Sequence, residues 1–123
     1  MTPVLDHVSF KVRSVAATGA FYAVLGAEVT PYSEERLGVR FGGGTRLIFQ
    51  ETNRPFSPDA VDYLGLECGG DAGVDELFAR LAASGAQLRD VRAEFASSPG
   101  PYGFFLRDPD GYLVKVFHYH EET

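Results

Sequence analysis

His7, Tyr63 and Lys115 are the side chains of this sequence best placed to do chemistry, because they fall at related points of two similar halves. His7-Val8-Ser9-Phe10 is answered by Tyr63-Leu64-Gly65-Leu66. Leu25-Gly26-Ala27-Glu28-Val29 is answered by Ser84-Gly85-Ala86-Gln87-Leu88, and Gly44-Thr45-Arg46-Leu47-Ile48-Phe49 by Gly111-Tyr112-Leu113-Val114-Lys115-Val116. Two such modules can close around one cavity, and equivalent positions then face the same space. A lysine there can hold a carboxylate, phosphate or phenolate as a point charge. An imidazole can relay a proton and a phenol can donate a hydrogen bond. The plainer reading of the same residues is structural: Lys115 pairs with Glu67 or Glu51, and His7 satisfies a strand end.

The elements that must position these groups follow from periodicity. Val8, Phe10 and Val12 alternate with His7, Ser9 and Lys11, the pattern of a half-buried strand over 4–12. Ser14 caps a helix running to about Leu25, with Gly26 as its stop. Val29 to about Tyr32 reads as a strand, and Gly38–Phe41 with Arg46–Gln50 as a hairpin around Gly42-Gly43-Gly44. After a turn-rich link the order recurs. Tyr63–Cys68 is a strand, and Val74, Leu77, Phe78 and Leu81 mark a helix ended at Gly85. Leu88–Val91, extending toward Phe95, is a strand, followed by Tyr102–Arg107 and Tyr112–Tyr119 as a hairpin closed by Asp108-Pro109-Asp110-Gly111. The expected fold is α+β, a single domain of two βαβββ modules over 4–51 and 62–120, joined by a linker over 52–61.

Composition narrows the function. The 123 residues suffice for one core, and 45% hydrophobic against 23% charged residues argue for a folded chain. A net charge of −6 without a basic run argues against nucleic-acid binding. No apolar run reaches the roughly 18 residues of a membrane span, and no signal-like segment opens the sequence, so the cytoplasm is expected. The single Cys68 excludes an internal disulfide and any multi-cysteine zinc site.

The order of elements resembles the vicinal oxygen chelate superfamily, which includes glyoxalase I, extradiol dioxygenases, and fosfomycin- and bleomycin-resistance proteins. The likeness is carried by Leu5-Asp6-His7-Val8, by Ala20-Phe21-Tyr22 before Leu25-Gly26, and by Gly103-Phe104-Phe105 leading to Arg107-Asp108-Pro109-Asp110-Gly111-Tyr112. It implies curled mixed sheets enclosing a cavity, helices on their convex sides, and a homodimer. With His7 facing the cavity, its companions are Ser9 and Lys11, Arg46, Ile48 and Gln50, Tyr63, Gly65 and Glu67, and Leu113, Lys115, Phe117 and Tyr119. Val8, Phe10, Leu47, Phe49, Leu64, Leu66, Cys68, Val114 and Val116 then pack against the helices.

Metal-dependent members of that superfamily place His or Glu at four positions, which the resemblance carries onto His7, Ile48, Tyr63 and Lys115. Only the first is a ligand for a divalent ion. Ile48 has no lone pair, a protonated phenol is poor, and an ammonium repels the ion, whereas such sites need about three protein ligands. The expectation is therefore no metal and no cofactor, and the binding of a bulky small molecule as bleomycin-resistance proteins do. Ser9, Arg46, Gln50 and Glu67 would supply polar contacts, with Tyr102, Phe117 and Tyr119 supplying aromatic ones. The alternative is an enzyme: an isomerase, lyase or cyclase using His7, Lys115 and Tyr63, or a metal-dependent glyoxalase or dioxygenase under a different ligand mapping. Ser98–Gly103 reads as a rim loop, His118 and His120 as a solvated chain end, and Cys68 as a packed thiol.

Overall fold

The computed structural model describes Met1–Glu121 and falls into two compact units, one ending at Ser57 and one beginning at Pro58. The first contains β1 (His7–Val12), α1 (Val15–Val24), β2 (Glu28–Pro31), β3 (Arg36–Arg40) and β4 (Arg46–Glu51). The second contains β5 (Leu64–Glu67), α2 (Asp71–Ala83), β6 (Arg89–Asp90), β7 (Gly100–Arg107) and β8 (Leu113–His120). The sheet orders are β1-β4-β3-β2 and β5-β8-β7-β6, so βαβββ occurs twice with the same topology. In each unit the first and last strands run parallel and the remaining pairs antiparallel, which makes both sheets mixed and open.

Local chemistry starts and stops the helices. Ser14 Oγ accepts the Ala17 N–H at 3.2 Å, and the Glu51 carboxylate takes the Val15 N–H at 3.1 Å. Two of the amides orphaned at the start of α1 are thus satisfied. At its end Gly26 takes φ +94°, and the Ala27 N–H returns to the Tyr22 carbonyl. The same device ends α2: Gly85 takes φ +84°, and Ala86 N–H returns to Leu81.

Each helix covers one face of its sheet. Tyr22 of α1 is fully buried and stacks on Phe49 at 5.2 Å, which stacks on Phe10 at 5.4 Å. Phe78 of α2 meets buried Phe104 edge-on at 5.2 Å, beside Val74, Leu81, Val114 and Val116. Full burial of one such aromatic side chain contributes about 2–3 kcal/mol, so these stacks anchor the sheets. The opposite faces carry His7, Ser9, Arg46, Ile48 and Gln50 in the first unit, and Lys115, Phe117 and Tyr119 in the second, as the alternation predicts.

The Asp108-Pro109-Asp110-Gly111 turn closes β7 and β8 by its own hydrogen bonds. Asp108, 5% exposed, accepts the N–H groups of Asp110 and Tyr112 at 2.9 and 3.0 Å. The strand expected over Leu88–Val91 and Phe95 shrinks to Arg89–Asp90, and Arg92–Phe95 form a 3-10 turn. The cause is Arg92: its guanidinium bonds Asp90 and Asp75 and lies 3.9 Å from the Phe78 ring centre, which turns the chain over α2. Phe95 fills the space that a side chain at Gly100 would need.

Candidate functional site

On the first unit, His7 and Arg46 are register partners on neighbouring parallel strands, and both reach Asp6. Asp6 Oδ2 accepts His7 Nδ1–H at 2.8 Å and Arg46 Nη2–H at 2.6 Å. The hydrogen bond from His7, then that from Arg46, holds the Asp6 carboxyl below its ordinary range. An ionised carboxylate can only accept, so Nδ1 carries the hydrogen and Nε2 of neutral His7 keeps its lone pair. Arg46 Nη1 donates to Tyr32 Oη at 3.1 Å, while its buried Nε has no hydrogen-bond partner. Arg46, Arg40, Tyr32, Thr30 and Glu28 line a hollow of about 140 Å³ over Gly38. Ser9 stands in register with Ile48, and Gln50 donates to the Glu35 carbonyl at 3.2 Å.

On the second unit, Lys115 is surrounded by rings. Its Nζ lies 5.3 Å from the centre of Tyr63, 5.3 Å from Phe117 and 5.6 Å from Phe105. Phe105 is the register partner of both Lys115 and Arg89, whose guanidinium lies 5.7 Å from the same ring. The structure thus brings Lys115, Tyr63 and Phe117 together. Phe105 and Arg89 belong to the same group but escaped the sequence reading. A register count from the Asp-Pro-Asp-Gly hairpin could have found Phe105; the two-residue strand that carries Arg89 had no such signal.

Glu67 is occupied elsewhere. It ends β5 and accepts His118 Nδ1–H at 2.9 Å, the Tyr119 N–H at 2.9 Å and the Gly69 N–H at 2.6 Å. Burial raises the Glu67 pKa, but these three donors outweigh it and hold the carboxyl below its ordinary value. Glu67 therefore does not pair with Lys115, against the plainer reading of that residue. Tyr102 belongs to β7 as register partner of His118, on the face opposite Lys115, and its hydroxyl donates to Asp75 at 2.6 Å. Tyr119 is 55% exposed and is register partner of Pro101.

The pair expected to be a solvated chain end is instead tied down. His118 meets Glu67, and His120 closes β8 with a 2.6 Å bond to Asp71 and a ring stacked 5.3 Å from Tyr102. Cys68 donates its backbone N–H to the Phe117 carbonyl, and burial, then the Glu67 charge, raises its thiol pKa.

The four positions that would carry a metal in this type of fold do not fit one. His7 alone offers a lone pair, at Nε2, whereas Ile48 is apolar and buried, and Lys115 puts a positive charge over the Tyr63 ring. Among the described residues no group of three or more His, Cys, Asp or Glu side chains is placed to hold a metal ion.

Comparison with known proteins supports the fold. The glyoxylase/bleomycin resistance protein/dioxygenase domain from Frankia sp. EAN1pec superposes with a TM-score of 0.74 at 18% identity, covering 98% of this chain and 100% of that one. The oxidase ChaP-H2 gives 0.76 at 21% identity, covering 100% and 98%. An integron cassette protein of V. cholerae gives 0.70 at 23% identity, covering 98% of each chain. No protein-family model and no curated protein matches the sequence. The architecture, two mixed four-stranded sheets with two helices, is the fold of that glyoxylase/bleomycin resistance protein/dioxygenase domain. Among the described residues no helix is long and apolar enough to cross a membrane.

Proposed function

We propose that this chain, built on the glyoxalase/bleomycin-resistance fold, binds a small organic molecule without a metal ion and sequesters it, as bleomycin-resistance proteins do. The observation that carries the reading is Lys115. In the last strand of the second unit, where metal-dependent relatives would carry a ligand, this chain has an ammonium among the rings of Tyr63, Phe105 and Phe117. Aromatic faces supply contact area at low entropic cost, and one fixed charge orients the guest. Assembly as a homodimer is part of this reading.

A second reading is favoured by the Asp6–His7 pair. A carboxylate that fixes Nδ1–H leaves Nε2 able to take a proton, the arrangement a general base needs. Under that reading the protein is an isomerase, lyase or cyclase in which His7 moves the proton.

The test is calorimetric screening of metal-stripped protein against aromatic and heteroaromatic compounds, with each bound compound recovered and checked by mass spectrometry. Recovery of unchanged compound, with binding lost in Lys115→Met, supports sequestration. Conversion that His7→Ala abolishes moves the assignment to the enzyme. Nickel, manganese, iron(II), cobalt and zinc are also loaded separately and desalted. Stoichiometric retention that His7→Ala removes would overturn the metal-independent reading.

A further inference from the structure

We infer that the molecule bound on the second unit is an organic anion with a flat unsaturated body, an arene carboxylate or a phenolate in kind; this rests on the small-molecule reading above and narrows it. The protein as a whole is acidic, with a net charge of −6, yet its charge is segregated. By strand register, Lys11, Arg36, Arg40 and Arg46 stand on the helix-free face of the first sheet, where Glu28 is the acidic strand residue. Arg89, Arg107 and Lys115 stand on that of the second, where Glu67 is the acidic one. Glu67 is already committed to His118 and two backbone amides, and Arg107 to Asp59 and the Gly111 carbonyl. Lys115 and Arg89 remain, on either side of Phe105, and neither forms an ion pair among the described residues.

The Lys115 ammonium therefore has ring faces around it and, among the described residues, no carboxylate paired with its N–H groups. Rings attract the charge but offer no anionic acceptor, so the three donors of this half-buried group are left to solvent or to a guest. A carboxylate or phenolate supplies them, whereas a cationic guest is repelled. The flatness comes from the neighbours. Gly65 and Gly103 flank Phe117, and a Cβ at Gly65 would come within 3.2 Å of that ring, so this stretch of β5 raises no side chain beside it. Tyr63 stays 44% exposed. Around Lys115 the rings of Tyr63, Phe105 and Phe117 and the bare backbone of Gly65 offer surface that a planar body can stack on.

The probes that decide are naphthoate, naphthamide and naphthylmethylammonium, titrated by calorimetry and by the NMR signals of the Phe and Tyr rings. We expect naphthoate to bind at least about tenfold tighter than the amide, the ratio a charge-assisted hydrogen bond supports. The preference should vanish in Lys115→Met, persist in Lys115→Arg, and weaken in Arg89→Gln. Salt should erode it. Amide binding equal to naphthoate, or tighter ammonium binding, would overturn the anion while leaving small-molecule binding intact. If no probe binds but a neutral library member does, the anion falls and the parent reading stands. If nothing binds and Phe117→Ala changes the sedimentation of the protein, the face is a contact between copies and both fall.

Discussion

His120 Nε2 lies 2.6 Å from Asp71 Oδ1, tying the last residue of β8 to the first residue of α2. The Asp71 hydrogen bond is the main cause of the raised His120 pKa, against a smaller opposing effect of burial. The unfolded chain titrates His120 near 6.5, so the folded protein holds that proton to higher pH. The stabilisation is fully present below that unfolded value and is lost as pH rises through the raised folded value. Urea unfolding at closely spaced pH should therefore show stability falling across that window, and Asp71→Asn should remove the dependence. An NMR titration placing His120 at or below its unfolded pKa would reject the linkage.

Gly103 and Gly38 occupy sheet positions that differ in what a methyl group would meet. At Gly103 it would overlap the Val116 carbonyl and the Phe117 backbone of the paired strand, which cannot yield without parting β7 from β8. At Gly38 it would meet the ring end of Tyr32, which is 46% exposed and can swing away. Gly103→Ala should cost about 3 kcal/mol, at the upper end of overpacking costs. Gly38→Ala should cost under about 1 kcal/mol and act mainly by releasing Tyr32 from Arg46. Equal midpoints in urea would show that the two strands adjust alike.

The sheets were legible because alternation and turn chemistry are local. Val8, Phe10 and Val12 already announce which face of β1 is buried, and Asp108-Pro109-Asp110-Gly111 sets the β7–β8 register. The Lys115 cage was half legible: Phe117 lies two residues along the same strand, and Tyr63 comes from the internal repeat, but Phe105 depends on a cross-strand partner. What the sequence hid were tertiary choices among equivalent polar partners. Glu67 could have met Lys115, yet three donors at the strand end hold it, and no pattern along the chain ranks those options. The Arg92 fork likewise overrides a strand-like stretch through contacts with Asp75 and Phe78, which lie on another element.

The thiol of Cys68 should be slow to react. Burial and the adjacent Glu67 charge both disfavour the thiolate, which is the nucleophilic form. Alkylation by iodoacetamide near pH 8 should run at least about tenfold slower than in an unstructured cysteine peptide, with full reactivity restored in denaturant. Glu67→Gln should accelerate it modestly by removing the charge. A native rate matching that of the peptide would show that the thiol is neither shielded nor raised.

Stability and binding should separate at Lys115. An ammonium near a ring contributes about 0.5–1 kcal/mol at accessible sites, and no ion pair among the described residues is lost when it is removed. Methionine keeps the length, fills the same space and makes favourable sulfur–ring contacts of its own. Lys115→Met should therefore change stability by less than about 1 kcal/mol while losing the preference for an anionic guest. Lys115→Glu is the opposing case, because a carboxylate over ring faces meets their negative quadrupole. It should destabilise by about 1–3 kcal/mol and, if it binds anything, favour a cationic probe. If both variants unfold at the same midpoint as the parent and bind naphthoate equally, the lysine is an ornament of the sheet surface and another group selects the guest.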